Sequence, residues 1–546
     1  MSAYLANLNR LPAWLHAYGI THVVACPGSR NAPLLETLHR SGLFTMTGVR
    51  DERSAAFIAL GMAQRGIPAA VCCTSGTAVL NLYSAVCEAY YQRVPLIAIT
   101  ADRPPELIDQ WDGQTIRQQG IFEKHILDSI QWPDNLNDPE QSELIDALME
   151  RALQQATGPC KGPIHINIPL RDPIYRDFEH ASPVVPVCSQ KAIPAGNHDI
   201  LLPELTGRTL LICGMNAPDE RLREAVKQIS KKMPVLCDIA SGLLEYSSHP
   251  NWERSFLMSG GELPEALQAD QLISIGTSML SKPLKQWLRR HKPKNHFHVS
   301  EAGWVGDPFN THPRNLSQNP AAFLELLQEQ VMPNTHYLDV WNEWFDAHEA
   351  RYRQIQPTLP WSEWTALELL FNTMPKETTL QLGNSMPVRY AAWLAPRQTN
   401  AVFSNRGSSG IDGCVSTAVG YALAHPNEQV LLLVGDVSFF YDSNALWMDR
   451  KPNNLRIVVL NNRGGNIFRI IDGPNKLQVT KNFLVMEESR NAQSWANTYG
   501  CSYSVIHEAP HPDGLRQFFS QTGPAVLELV FPSDSGPELL ARIKGT

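Results

Sequence analysis

The 546-residue chain is 43% hydrophobic and 18% charged, enough apolar surface for several packed cores and too much for a disordered polymer. Its net charge of −8 offers no positive field to nucleic acid or an anionic membrane, so an anionic ligand must be met by individually placed arginines. The longest apolar stretches, such as 430–434, fall far short of a membrane span, and the N-terminus lacks a basic segment followed by an apolar one; a cytosolic (cytoplasmic) protein is expected.

In chain order, strand-like runs at 21–26 (THVVAC), 69–73 (AAVCC) and 95–100 (PLIAIT) alternate with helical patterns such as 53–65 (RSAAFIALGMAQR), and 164–169 (IHINIP) closes a first block. Proline-rich 183–206 reads as a linker. A second block carries strands at 209–214, 233–238, 271–276 and 296–300. The polar, proline-bearing stretch 350–361 leads to a third, with strands at 378–383, 401–405, 429–436, 455–462 and 525–531. The expected fold class is α/β, with three open parallel-sheet α/β domains at 1–182, 183–350 and 351–546. Ten cysteines without a CxxC read as reduced core thiols, and His291, His296 and His298 lack a metal-site pattern.

Ligands of open parallel sheets bind beyond the carboxyl ends of the strands. The strongest such signal is QVLLLVGDVSFFYDSNALWM, a strand ending in Gly435-Asp436 that passes directly into a helix; the next strand ends in Asn461-Asn462, followed by Arg463-Gly464-Gly465. Glycine allows close backbone approach, the helix N-terminus favours a phosphate, and the neighbouring oxygens suit Mg²⁺. The plainer reading is that Asp436 caps its helix and the asparagines only turn the chain. No GxGxxG, Walker A or GxSxG sequence competes: Gly407, Gly410 and Gly413 are spaced GxxGxxG.

Gly435-Asp436 with Asn461-Asn462 resembles the Mg²⁺-diphosphate motif of thiamine-diphosphate enzymes. The strings PGSRNAPL (27–34), TSGTAVLNLYSAV (74–86), TADRPPELID (100–109), QTIRQQGIF (114–122), GNSMPVRY (383–390), SNRGSSGIDG (404–413) and GGNIF (464–468) narrow the resemblance to the 2-succinyl-5-enolpyruvyl-6-hydroxy-3-cyclohexene-1-carboxylate (SEPHCHC) synthases of menaquinone biosynthesis, closely in the outer blocks and loosely in the middle one. The resemblance implies a thiamine-diphosphate-binding fold with an N-terminal pyrimidine-binding, a central and a C-terminal diphosphate-binding domain, working as a homodimer or dimer of dimers. It implies a transferase that decarboxylates 2-oxoglutarate and adds the succinyl unit in a 1,4 sense to isochorismate.

The resemblance makes Asp436, Asn462 and Gly464 ligands of Mg²⁺ or Mn²⁺ and places Asn384, Gly435, Val437 and Ser438 at the cofactor; Val437 stands where many decarboxylases of the family have a third glycine. Glu52, just after a short strand and at the start of an apolar helix, becomes the residue that shares a proton with the aminopyrimidine; alone, Asp51 or Glu52 could simply favour the helix N-terminus. Ile411 holds the cofactor bent, and Ile467 and Phe468 line the same pocket or pack in the core. Ser385, Arg389 and Arg406 take the distal carboxylate of 2-oxoglutarate, and Ser29, Arg30, Arg103, Gln114 and Lys282 surround isochorismate. Pro283 replaces a second basic residue found in some relatives, which leaves Lys285 as a substitute for Lys282. Arg30 and Arg103, beside prolines, could instead bridge backbone carbonyls, and Arg389 could form a surface ion pair. Another thiamine-dependent 2-oxo acid decarboxylase or carboligase, and a silent cofactor-binding regulatory protein, remain alternatives; Glu52, needed for activation rather than binding, argues against the silent one.

Overall fold

The structure, a computed structural model, describes residues 3–172, 174, 202–302, 305–331, 335–396, 399, 401–487, 489–533 and 535–545. Most of the expected linker, 183–201, lies outside them.

Three wholly parallel sheets follow the three blocks. The first contains β1 (His22–Ala25), β2 (Thr45–Gly48), β3 (Ala69–Cys73), β4 (Leu96–Asp102), β5 (Asp128–Gln131) and β6 (Ile164–Pro169) in the order β2-β1-β3-β4-β6-β5. The second contains β7 (Thr209–Cys213), β8 (Val235–Cys237), β9 (Gln271–Ile275), β10 (Asn295–Val299) and β11 (Arg314–Leu316) in the order β11-β10-β9-β7-β8. The third contains β12 (Thr379–Leu382), β13 (Val402–Ser404), β14 (Val430–Gly435), β15 (Leu455–Asn461), β16 (Ser502–Ile506) and β17 (Ala525–Val530) in the order β13-β12-β14-β15-β17-β16. Central strands such as β3, β4, β7 and β15 are buried at every position. That is why they read as continuous apolar runs: a parallel sheet is covered on both faces. The expected set lacked β5, β11 and β16. All three are edge strands with polar sequences (DSIQ, RNL, SYSVI), and an edge needs no apolar run.

The described chain forms two compact units. One comprises Met1–Ala195, Asn405–Asn427 and Tyr441–Asn454; the other comprises Gly196–Ser404, Glu428–Phe440 and Leu455–Thr546. Two pieces of the third block therefore belong with the first sheet.

In the first unit, the helix Glu52–Ala63 packs against the helix Cys414–Ala424. The two touch backbone to backbone: a Cβ on Gly61 would stand 2.0 Å from the Thr417 carbonyl oxygen, and one on Gly420 would stand 1.9 Å from that of Ile58. Polar clasps surround the contact. Asn444 Nδ2 donates to Asp51 at 2.7 Å, Arg53 to the Tyr441 carbonyl at 2.9 Å, and the Ser416 N–H and hydroxyl both donate to buried Asp442. Burial pushes the Asp442 carboxyl up to about 7, against the Ser416 hydrogen bonds that lower it.

In the second unit, Ile239, Leu257, Met258 and Leu280 of the middle block join the core beneath the third sheet. Arg254 pairs with Glu349 at 2.5 Å and lies 3.9 Å over the Tyr352 ring. The middle block is thus anchored to the third by shared apolar packing and by the Arg254 guanidinium over the Tyr352 ring.

The glycine contact yields a test. Gly420→Ala places a methyl group inside the van der Waals radius of the Ile58 carbonyl, and overpacking of this kind costs about 1–3 kcal/mol. Urea unfolding should show that loss; an unchanged midpoint would contradict the backbone contact.

Candidate active site

The second unit builds its site on two strand ends. β14 and β15 run in parallel register, with Gly435 opposite Leu460, so Asp436 emerges beside Asn461 and Asn462. Asp436 is only 4% exposed. Its Oδ2 accepts the Gly464 N–H and its Oδ1 the Val437 N–H, both at 2.8 Å. The carboxylate therefore fills a first-turn N–H of the helix Asp436–Tyr441 with one oxygen and ties that helix to the loop after β15 with the other. Burial pushes its carboxyl up to about 6, with the backbone N–H groups pulling it back, and among the described residues no lysine or arginine is ion-paired with it.

The two asparagines divide the labour. Asn461 donates to buried Glu528 at 2.6 Å and to the Arg490 carbonyl, and accepts from the Arg463 N–H, so it holds the turn. Asn462, also buried, donates its Nδ2 to Glu363 at 3.1 Å, which fixes which end of its amide is oxygen. Gly464 has φ 130, and a Cβ there would stand 2.5 Å from the Val485 carbonyl oxygen. Gly435 has no atom closer to its missing Cβ than Pro387 Cγ at 4.0 Å, leaving its backbone open to close approach. A desolvated carboxylate without a cation partner, an oriented amide and a glycine-lined turn are a hard-oxygen donor set that fits a divalent cation bridging a diphosphate. Val437 is 40% exposed and Ser438 is buried.

Beside these strand ends, β12 runs into buried Asn384 and then Ser385, whose φ of 75 is unusual for a non-glycine residue. Ser385 precedes the helix Met386–Leu394, and its carbonyl accepts Arg389 Nη1 at 2.5 Å. Arg389 is half-buried and its charge reaches Glu253, a wholly buried carboxyl that burial pushes up to about 8. Lys282 is the exposed first residue of the helix Lys282–Arg290, and Lys285 donates to the Met279 carbonyl at 3.0 Å. Ile467 packs against the third-sheet core and Phe468 lies against Gly465. His296 and His298 share the Ser274 hydroxyl inside the second sheet.

The first unit places Glu52 at the first turn of its helix. Asp51, not Glu52, is the cap, accepting the Ser54 N–H at 3.1 Å. Glu52 is half-buried, and near enough to Cys26 that its charge adds to burial in pushing that thiol well up. Ile411, 37% exposed, precedes Gly413, whose φ of 68 and flat contact with the Phe57 ring tie the SSGIDG loop to the Glu52 helix.

Arg30, buried, donates to the Leu170 carbonyl at 2.9 Å and lies 3.6 Å from Asp172. Arg103 donates to the Gly113 carbonyl at 3.0 Å, with Asp112 at 3.6 Å. Both arginines hold backbone carbonyls and each keeps a carboxylate nearby. Ser29 is exposed, and Gln114 takes φ 55 with its backbone packed on Gly76.

Beneath these loops runs a buried polar chain that no motif announced. Gln118 accepts the Gly76 N–H at 2.9 Å and donates to the Ala101 carbonyl and Asn167. Asn167 donates to Asp102 at 2.7 Å, and Asp102 accepts the Arg103 N–H at 2.7 Å. Burial raises the Asp102 carboxyl, against these two hydrogen bonds. The chain links the loop after β3, which carries Gly76, to the loop after β4, which carries Arg103 and Gln114, and to the end of β6, which precedes the Leu170 carbonyl that holds Arg30. Its signal was faint: Asp102 and Asn167 are polar residues within otherwise apolar strands, and Gln118 lies in the loop after β4.

Comparison with known proteins decides the family. Residues 9–127 match the N-terminal TPP binding domain of thiamine pyrophosphate enzymes, and 383–529 match the C-terminal TPP binding domain. SEPHCHC synthases from Bacteroides fragilis, Desulfotalea psychrophila and Cytophaga hutchinsonii are 35%, 37% and 36% identical, covering 96%, 94% and 98% of this chain and 95%, 96% and 98% of the relatives. The chain belongs to the SEPHCHC synthase family. Within that family of thiamine-diphosphate-dependent proteins, Asp436, Asn462 and Gly464 fall in the C-terminal binding domain and Glu52 in the N-terminal one.

The polar chain of the N-terminal domain gives a prediction. Gln118→Leu keeps the volume but takes the acceptor from the Gly76 N–H and leaves the Asn167 oxygen with the Thr100 hydroxyl alone, and a buried donor left unsatisfied costs about 1–3 kcal/mol. Chemical denaturation should show a loss of that size; wild-type stability would mean that the chain does not support these loops.

Proposed function

We propose that the protein is a transferase, EC 2.2.1.9, that decarboxylates 2-oxoglutarate and adds the succinyl unit in a 1,4 sense to isochorismate, giving SEPHCHC for menaquinone or phylloquinone biosynthesis. The observation that carries the reading is the buried Asp436 carboxylate bound to the Gly464 N–H across adjacent strand ends, in a chain similar along nearly its whole length to proteins named SEPHCHC synthase. A cytoplasmic setting goes with it; among the described residues no helix is long and apolar enough to cross a membrane.

In this reading Asp436, the Asn462 oxygen and the Gly464 carbonyl hold Mg²⁺ or Mn²⁺, and Gly435, Val437, Ser438 and Asn384 meet thiamine diphosphate. When bound, the cofactor supplies the carbon acid that receives the 2-oxo acid and accepts the charge left by loss of CO₂. Glu52 holds and returns a proton at the ring nitrogen of the aminopyrimidine, and Ile411 supports the cofactor from one side, with Ile467 and Phe468 beside it. Arg389, Ser385 and Arg406 orient the distal carboxylate of 2-oxoglutarate. Arg30, Arg103, Gln114 and Ser29, with Lys282 or Lys285, receive isochorismate; because Arg30 and Arg103 are braced on backbone carbonyls, each presents its remaining N–H groups with little further loss of side-chain freedom.

The organisation that fits is a pyrimidine-binding domain (1–182), a central domain (183–350) and a diphosphate-binding domain (351–546). The active unit is a homodimer, or a dimer of dimers, in which Glu52 of one chain serves Asp436 and Asn462 of another. Such a closure excludes water, which would otherwise protonate the reactive carbon before isochorismate arrives.

The purified protein with thiamine diphosphate, Mg²⁺, 2-oxoglutarate and isochorismate should form SEPHCHC, identified by mass. Release of CO₂ and succinic semialdehyde without the adduct would favour a plain decarboxylase, and no turnover of either substrate would refute the assignment.

A further inference from the structure

Glu88 lies in the helix Tyr83–Gln92 and is 1% exposed. A carboxylate that deep is costly unless its oxygens are filled, and here they are filled from one place. Oε1 accepts the Gly407 N–H at 2.6 Å and Gln92 Nε2 at 2.5 Å; Oε2 accepts the Ser408 N–H at 2.7 Å and the Ser408 hydroxyl at 2.5 Å. Three of the four donors belong to the two residues that follow Arg406.

The preceding residue is fixed as well. Buried Asn405 donates to the Thr417 hydroxyl at 3.0 Å and lies 3.5 Å from Gln92 Nε2. Gly407 lies flat on the same helix: a Cβ there would stand 2.6 Å from the Glu88 carbonyl oxygen and 2.9 Å from the Gln92 nitrogen. The chain is thus held on both sides of Arg406, after it by Glu88 of a helix from the N-terminal block and before it by Thr417 of the helix Cys414–Ala424, with Gln92 beside Asn405.

We propose that Glu88 is a positioning residue that sets where Arg406 presents its guanidinium, and through it selects a 2-oxo acid bearing a second, distal carboxylate. The inference rests on the reading of Arg406 as a ligand of that carboxylate. Charge-assisted hydrogen bonds to backbone N–H groups are directional, so a carboxylate with both oxygens engaged fixes the loop more tightly than an amide. In Glu88→Gln, one acceptor becomes an NH₂ group facing an N–H donor, and the loop must move.

The test uses the holoenzyme at saturating thiamine diphosphate and Mg²⁺, with KM and kcat measured for both substrates and for 2-oxobutyrate, a 2-oxo acid without a distal carboxylate. Glu88→Gln should raise KM for 2-oxoglutarate by about 10- to 100-fold, the scale of a misplacement near 1 Å. The KM for isochorismate should stay within about twofold, and the preference for 2-oxoglutarate over 2-oxobutyrate should fall. Arg406→Ala is the reference, and the double variant should be no worse than Arg406→Ala alone. If Arg406→Ala leaves KM for 2-oxoglutarate unchanged, the reading of Arg406 fails and takes this inference with it. If Arg406→Ala raises that KM and Glu88→Gln does not, or if Glu88→Gln lowers kcat alone or weakens both substrates equally, the inference fails while the reading of Arg406 stands. Should Glu88→Gln not fold, Gly407→Ala, which pushes the loop off the helix while leaving the carboxylate in place, decides by the same readouts.

Discussion

A carboxylate held almost entirely out of water at the carboxyl end of β14 is the constraint on which the C-terminal domain is organised. Parallel pairing of β14 with β15 brings the two strand ends side by side, and Asp436 joins the start of the helix after β14 to the loop after β15 through backbone N–H groups of each. Around it, Glu363 orients Asn462 and Glu528 holds Asn461, so the asparagine turn is shaped before any ligand arrives. Burial raises its carboxyl and no described cation is paired with it, so under the proposed function a cation brought with the diphosphate would stabilise the anion. Affinity for metal and cofactor, on this account, is built from prearranged oxygens rather than from ordering on binding.

The N-terminal domain solves a different problem, that of holding loops from distant parts of the chain in register. The Glu52 helix is locked to the helix Cys414–Ala424 by two glycine contacts, and the segment after Asp436 returns to clasp Asp51, Arg53 and Ser416. Glu88 fastens the Arg406 loop, and the Gln118–Asn167–Asp102 chain fastens those that carry Arg103 and Gln114. Glu88 and the Gln118–Asn167–Asp102 chain are buried polar groups, where low dielectric strengthens hydrogen bonds and makes their loss most costly.

Much of this was legible in the sequence. The central strands were plain because both faces of a parallel sheet are covered, and the meeting of Gly435-Asp436 with Asn461-Asn462 was plain because adjacent parallel strands end on the same side. The edge strands were not, since Ser502–Ile506 and Asp128–Gln131 need only half an apolar pattern. Nor were the supports. Glu88 is a single acid inside an apolar helix, Glu363 looks like an ordinary first-turn acid, and Gln118 carries no spacing rule; each gains meaning only from partners tens or hundreds of residues away. Arg30 and Arg103 show a further limit, because a brace on a carbonyl and the proposed contact with a ligand draw on the same side chain. The three blocks were visible, but not that 405–427 and 441–454 pack with the first sheet, since glycine-mediated helix contacts leave no periodic mark.

The central claim is that Glu52 and Asp436 act together although each chain supplies them to different sites. Subunit complementation tests it most directly: Glu52→Gln and Asp436→Ala chains, each inactive alone, are mixed under conditions in which subunit exchange is independently demonstrated. A shared site gives every mixed dimer one intact and one doubly damaged site, so statistical mixing should restore up to about a quarter of wild-type activity by the isologous pairing argument. No recovery despite proven exchange would contradict the account.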